Sequence, residues 1–326
     1  MAVQELPRQL IARHAGEFRI LALSGGGYLG LYSAAVLAAL EARVGEPIGR
    51  RFDLVSGTSV GGILAAAVAL EVPLTEIVEL FHRHGAEVFS PRALPSGTIA
   101  RLLDMSRSVL GPKYSGVELR DALAKRLGDR TLRDARHPLV LPAVNVTRGQ
   151  TKIFKTPHAA ASTGDEQVTM LDAAMATCAA PAYFPAVRVG GDLFADGGLF
   201  AVAPDQVALH EAEHFMGIDP ARVRMLSIGT ATAGYQPSGG VEEDAGAVGW
   251  LSGGRLILTL IAVQQQHVQA MLEDRLGERY LRLDAHWPED AGLGIDVATP
   301  EAAKLLLALA EKTVRGLDAE RLSAFL

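Results

Sequence analysis

Three glycine-bearing turns, each just after a short apolar run, constrain this chain more than any other feature. They are Ser24-Gly25-Gly26-Gly27-Tyr28-Leu29-Gly30 after residues 18–23, Gly57-Thr58-Ser59-Val60-Gly61 after 52–55, and Asp196-Gly197-Gly198 after 193–195. Glycine lets a backbone turn sharply and approach its neighbours closely. The crevice outside the carboxyl ends of strands is where open α/β sheets bind ligands. The pattern predicts an α/β protein whose chemistry sits on these turns.

The rest of the chain agrees with that reading. Short apolar runs alternate with helical periodicity, as in an α/β sandwich. Strands are expected at 18–23, 52–55, 139–146, 151–155, 193–195, 222–228 and 280–283. Helices are expected from the first glycine turn to about residue 43, after the second turn, and at 74–89, 98–110, 117–127, 170–179, 205–215, 248–276 and from 300 onward. A turn at Arg148-Gly149 should join two of the strands. No internal repeat or interdomain linker stands out, so residues 18–326 read as one domain behind an N-terminal extension of 1–17. The glycine-rich stretch 233–247 is the expected mobile loop.

Composition narrows the partners. Hydrophobic residues make up 49% and charged ones 21%, which is globular rather than disordered. A net charge of −6 without a dense Lys/Arg tract argues against a DNA or RNA duplex. The single Cys178 rules out an internal disulfide and a multi-cysteine metal site, and it fits a reducing compartment. No apolar signal region opens the chain. The longest uncharged stretch, 54–70, falls short of the ~20 apolar residues of a membrane span. The expectation is a soluble cytoplasmic protein that meets membranes only peripherally; a homo-oligomer is left open.

Each turn has a chemical reading and a plainer one. Gly57 to Gly61 fits G-x-S-x-G, where a strand turns into a helix and presents the serine hydroxyl at the apex; a serine cap in a flexible turn uses the same letters. In Ser24 to Gly30, successive N–H groups at a helix start form a cradle for negative charge, which ester hydrolysis needs for its oxyanion. The same letters fit the G-x-G-x-x-G of a dinucleotide-binding turn. That reading wants an acidic residue at the end of the second strand, where this chain has Ser56-Gly57-Thr58-Ser59, with Asp53 inside the strand. Asp196 on its Gly-Gly turn could approach another loop closely, as a serine activated directly by aspartate requires; the commoner meaning is an ordinary Asp-Gly turn.

Together the three turns resemble those of the patatin-like phospholipase family. Ser24 to Gly30 is similar to its oxyanion box, Gly57 to Gly61 to its nucleophile elbow, and Asp196-Gly197-Gly198 to its Asp-Gly-Gly box. Ala179-Ala180-Pro181-Ala182-Tyr183-Phe184-Pro185 and Leu226-Ser227-Ile228-Gly229-Thr230 resemble flanking stretches, so the likeness spans about residues 18–283. The resemblance implies a three-layer α/β/α fold with a mainly parallel central sheet, and a Ser-Asp dyad of Ser59 and Asp196 without histidine. It also implies an oxyanion hole from Gly25, Gly26 and Gly27, with Gly30, Gly57, Gly61, Gly197 and Gly198 supporting the turns. The implied activity is hydrolysis of lipid acyl esters without metal or organic cofactor. Two positions depart from the family pattern: Leu29 stands where a cation is common, and Ala203-Pro204 where Asn-Pro is common. Ile153-Phe154-Lys155-Thr156-Pro157-His158 and Arg279-Tyr280-Leu281-Arg282-Leu283-Asp284 look like stretches of bacterial antiphage phospholipases activated by cyclic dinucleotides, which would make such a nucleotide and the phospholipid membrane the partners.

Other signals compete. His210-Glu211-Ala212-Glu213-His214 fits the H-E-x-x-H of a zinc protease, although a solvated helix face explains it without metal. His210, His214, His267 and His286 all follow Asp196, which leaves room for a Ser-Asp-His triad. Residues 98–110 fit a lid or interfacial helix over the site and also ordinary core packing. The run Gln264-Gln265-Gln266 suggests no mechanism.

Overall fold

A computed structural model of the chain describes residues 16–90, 111–160, 162–235, 254–286 and 291–326, together with 246, 250 and 288. The N-terminal extension up to residue 15, the helix expected at 98–110, most of the 233–247 loop and the first turns of the helix expected from 248 lie outside the described residues.

Phe18–Leu23 forms β1, and its alternation explains the layering. Leu21 and Leu23 face one hydrophobic core, while Phe18, Ile20 and Ala22 face another. A strand buried on both faces belongs in the middle of a sheet covered by helices on either side. Around β1 lie β2 (Leu54–Gly57), β3 (Leu139–Asn145), β4 (Gln150–Lys155), β5 (Val187–Val189), β6 (Asp192–Asp196), β7 (Val223–Ile228) and β8 (Tyr280–Leu283). They make one eight-stranded sheet in the order β5-β6-β3-β2-β1-β7-β8, with β4 also paired to β3. The pairs running from β3 through β2, β1 and β7 to β8 are parallel; β4, β5 and β6 pair antiparallel at the other end. This is the expected three-layer α/β/α sandwich.

One face is covered by α1 (Gly30–Val44), α2 (Val60–Ala69), α3 (Leu74–Val88), α4 (Val117–Leu127), α5 (Met170–Thr177) and, after the sheet is complete, α9 (Pro300–Arg315). The short α6 (Gly198–Ala201) and α7 (Asp205–His210) follow β6. Helix α7 and the C-terminal half of α8 (Arg255–Leu276), through Leu272 and Leu276, pack on the opposite face, while Leu258 and Ile261 of α8 join the first core; α10 (Ala319–Ser323) comes last. No helix among the described residues is long and apolar enough to cross a membrane.

Strand β3 carries the key register. Along one edge it pairs with β4 from Val140 to Asn145. Along its other edge it pairs first with β2, Ser56 opposite Val140, and then with β6, Asp196 opposite Ala143. Because β2 runs parallel to β3 and β6 antiparallel, β2 and β6 lie end to end with their carboxyl ends pointing at one another. Three steps of β3 separate Ser56 from Asp196, about 10 Å at ~3.3 Å per residue. The turns that follow both strands therefore open into the same gap.

Candidate active site

At the end of β2 the chain passes through Ser59 with φ 56° and ψ −129° and enters α2 at once. A non-glycine residue held there costs on the order of 1–3 kcal/mol, so its surroundings must over-determine it. Two features do so. A side chain at Gly57 would strike the carbonyl of Gly61, and one at Gly61 would strike that of Leu23, so the elbow closes only with glycine on both flanks. In addition, the Ser59 N–H donates to Thr177 Oγ1 at 3.1 Å, while that hydroxyl donates to the Pro142 carbonyl. The same carbonyl packs against Gly197, where a Cβ could not fit. Pro142 on β3 thus braces the serine turn and the aspartate turn together. The sequence reading missed Thr177; a threonine closing an apolar Ala/Met helix was the available signal.

Asp196 ends β6 and is only 5% exposed. Its Oδ1 accepts the Gly198 N–H at 2.6 Å. Burial pushes its carboxyl up to about 6, against hydrogen bonds from Gly198 and from the Ser59 hydroxyl that pull the other way. A carboxylate of that pKa is about nine-tenths ionised at pH 7 and a better proton acceptor than an ordinary aspartate. Cys178 lines the same cavity as Ser59 and Asp196. Burial, then the Asp196 charge, raises its thiol well above the usual range, with a Ser59 hydrogen bond opposing, so it stays protonated.

Ser59, Asp196, Gly198 and the loop Gly25-Gly26-Gly27 line one cavity of about 210 Å³. Its remaining walls are overwhelmingly apolar, from α3, the 178–184 segment and α8. The loop requires one correction. The Gly25 N–H donates to the Val202 carbonyl at 2.9 Å and is already committed. Among the described residues no backbone carbonyl accepts from the N–H of Gly26 or Gly27, so these are the two donors the loop leaves uncommitted. Gly25 is there for space, since a Cβ at that position would crowd the Ser59 side chain and the Thr58 carbonyl at 3.1 and 3.2 Å. Gly30 opens α1 against the Val60 side chain, locking the loop to the elbow.

The competing signals resolve by geometry. Glu211 of the H-E-x-x-H stretch is buried, not solvated, and is held by Lys155 and His158. The chain there winds into a wider turn, Glu211–Phe215, and the His210 and His214 rings stack on each other at 5.1 Å. Glu211 is therefore unavailable as a metalloprotease base. Asp53, which a dinucleotide site would need free, instead accepts the Arg19 N–H at 2.8 Å. None of His210, His214, His267 and His286 lines the cavity. His84 does, from α3, with Nδ1 2.6 Å from Glu87.

The glutamine run proves structural to the site. Gln264 lines the cavity, donates to the Gly198 carbonyl and accepts the Val202 N–H, both at 3.2 Å. Gln265 is buried beneath the glycine loop. A buried amide within a helix must find partners, and that was the signal in the sequence.

A family model described as patatin-like phospholipase matches residues 21–209. A cGAMP-activated phospholipase of Pseudomonas aeruginosa is 40% identical over 90% of this chain and 82% of its own length. One of Vibrio cholerae serotype O1 is 34% identical over 89% of this chain and 87% of its own. A cUMP-AMP-activated phospholipase of Escherichia coli is 30% identical over 68% of each chain.

Proposed function

The chain belongs to the patatin-like phospholipase family, and from that premise we propose that it cleaves phospholipid acyl esters with a Ser59-Asp196 dyad under cyclic-dinucleotide control. It is a lipid-hydrolysing carboxylic ester hydrolase; the dyad, the donors and the control are the proposal. The observation that carries it is the meeting of β2 and β6 on one edge of β3, which opens Ser59 and Asp196 into one apolar cavity beside two unclaimed N–H groups.

In the proposed reaction Ser59 Oγ attacks the acyl carbonyl carbon and Asp196 takes the hydroxyl proton. The carbonyl oxygen becomes an oxyanion held by the N–H groups of Gly26 and Gly27, a contribution on the order of 3 kcal/mol per donor. Collapse breaks the ester bond, and Asp196 returns the proton to the departing lysolipid oxygen. Water then attacks the acyl-enzyme, Asp196 accepts its proton, and the fatty acid leaves as Ser59 recovers a hydrogen. The apolar walls suit an acyl chain. At the rim, Leu199 is 56% and Leu260 47% exposed, with Phe200 and Val263 also exposed beside them. Apolar side chains at a cavity mouth suit peripheral contact with a bilayer.

The names of the relatives support a nucleotide trigger, with cGAMP ahead of cUMP-AMP because the cGAMP-activated relatives match more strongly and over more of the chain. The test is fatty-acid release from phospholipid vesicles with cGAMP, with cUMP-AMP and with neither. Ser59→Ala and Asp196→Asn are expected to abolish release, and Ser59→Ala to abolish fluorophosphonate labelling as well. Release by Ser59→Ala at the unsubstituted rate would overturn the dyad, and equal release with and without nucleotide would overturn the trigger.

A further inference from the structure

Behind the glycine loop lies a buried polar chain that the reaction as written does not use. Arg282 on β8 has a side chain only 3% exposed. Its guanidinium donates to Ser227 Oγ at 2.8 Å, to Asp284 Oδ2 at 2.9 Å and to Gln265 Oε1 at 2.5 Å. Gln265 Oε1 also accepts from the Thr232 hydroxyl at 3.0 Å. Two donors on that oxygen fix the amide: turned over, it would set its NH₂ against the guanidinium. Gln265 Nε2 therefore faces the other way, 3.3 Å from the Gly25 carbonyl oxygen. Thr230 Oγ1 donates to the same oxygen at 3.2 Å.

That carbonyl belongs to the peptide whose N–H is that of Gly26. A trans peptide is planar, with C=O and N–H pointing in opposite directions. Two donors holding the carbonyl on the buried side turn the Gly26 N–H toward the cavity. Hydrogen bonds accepted by a carbonyl also polarise the N–H of the same peptide. The loop supplies no charge of its own, because Leu29 is apolar and fully buried. The cation behind this peptide is Arg282, acting through the Gln265 amide.

We infer that Gln265 and Arg282 are positioning residues for the oxyanion: they aim and polarise the Gly26 N–H through the Gly25 carbonyl, with Thr230 as the second pin. This rests on the dyad reading above. A group that acts only on the oxyanion lowers kcat and leaves ground-state binding alone.

The experiment compares the full-length chain with Ser59→Ala, Gln265→Leu, Thr230→Val and the double variant, using a soluble short-chain ester and a trifluoromethyl ketone that forms an anionic adduct on the serine. Gln265→Leu is expected to lose about 10- to 100-fold in kcat with KM within about twofold, less than or equal to the loss of a whole donor. Ketone affinity should fall in parallel with kcat/KM. Thr230→Val should lose less, and the double variant less than the product of the two, because both act on one oxygen. If Gln265→Leu does not fold, Thr230→Val carries the same test. A kcat within twofold, a change confined to KM, or unaltered ketone affinity in a folded variant would overturn the inference while an inactive Ser59→Ala leaves the dyad standing. An active Ser59→Ala would remove the dyad and this inference with it.

Discussion

Replacing Asp196 by asparagine should make the protein more stable while removing its activity, and the gain should depend on pH. The carboxyl is raised from an ordinary 3.8 to about 6 by burial. Folding therefore favours the protonated form. Its contribution is fully present below the unfolded pKa and is lost as pH rises through about 6. Above that, the folded chain carries a desolvated charge at a cost of about two pK units, or about 3 kcal/mol. Asparagine resembles the protonated acid in shape and can still accept the Gly198 N–H. Allowing for relaxation, the gain at pH 8 should be about 1–3 kcal/mol. For a chain of this length that is about 2–4 °C in Tm. Thermal melts of both proteins at pH 4, 5, 6, 7 and 8 read the effect directly. The two should melt together near pH 4, diverge between 4 and 6, and keep a constant gap above. A gap unchanged from pH 4 to pH 8, or a less stable variant at pH 8, would refute the argument from burial.

Further predictions concern the reaction. If Asp196 is the base, as proposed, kcat/KM should fall about tenfold per pH unit below about 6, as it becomes protonated, and should be level above it; an inflection below pH 4.5 would deny Asp196 that role. Thr177→Val removes the acceptor of the Ser59 N–H and should lower kcat about tenfold, with Thr177→Ser restoring most of it; equal rates in both variants would show that the elbow holds without this bond. His84→Gln should retain turnover within about threefold, since loss of a general base costs about 10²–10⁴; a loss of that size would restore histidine to the mechanism. Leu199→Asp with Leu260→Asp should slow release from vesicles about tenfold and leave a soluble ester unaffected; equal effects on both substrates would place the defect inside the cavity.

Much of the fold was legible because burial left periodic traces. β1, β8 and α4 fall where their patterns put them. Strand β2 begins and ends two residues later than its apolar letters suggested, since Ser56 pairs with both β1 and β3 and Gly57 with β1, and both are buried. Strand β5 was missed: at the sheet edge Val187–Val189 is only half-covered, and a three-residue strand shows no alternation. The helix expected at 205–215 changes its winding at Glu211, which Lys155 and His158 draw inward from a distant strand and loop. The candidate site was legible in its turns and hidden in its supports. Ser59, Asp196 and the glycines announce themselves by local spacing. The Val202 carbonyl that occupies Gly25, the Thr177 hydroxyl and the Arg282-Gln265 pair act across long separations in the chain, which no local pattern records.

The end-to-end arrangement of β2 and β6 also limits how such a centre can vary. Sliding one strand along its neighbour is possible only in whole-residue steps, and a single step turns every side chain to the opposite face. Three pairs, Ala143 with Asp196, Val144 with Ala195 and Asn145 with Phe194, set the register of β6 on its rail. The spacing of the proposed nucleophile and base is therefore digital. A one-residue insertion within β6 itself, between Asp192 and Asp196, would not loosen the centre by degrees; it would rotate the acid out of it while leaving the parallel half of the sheet intact.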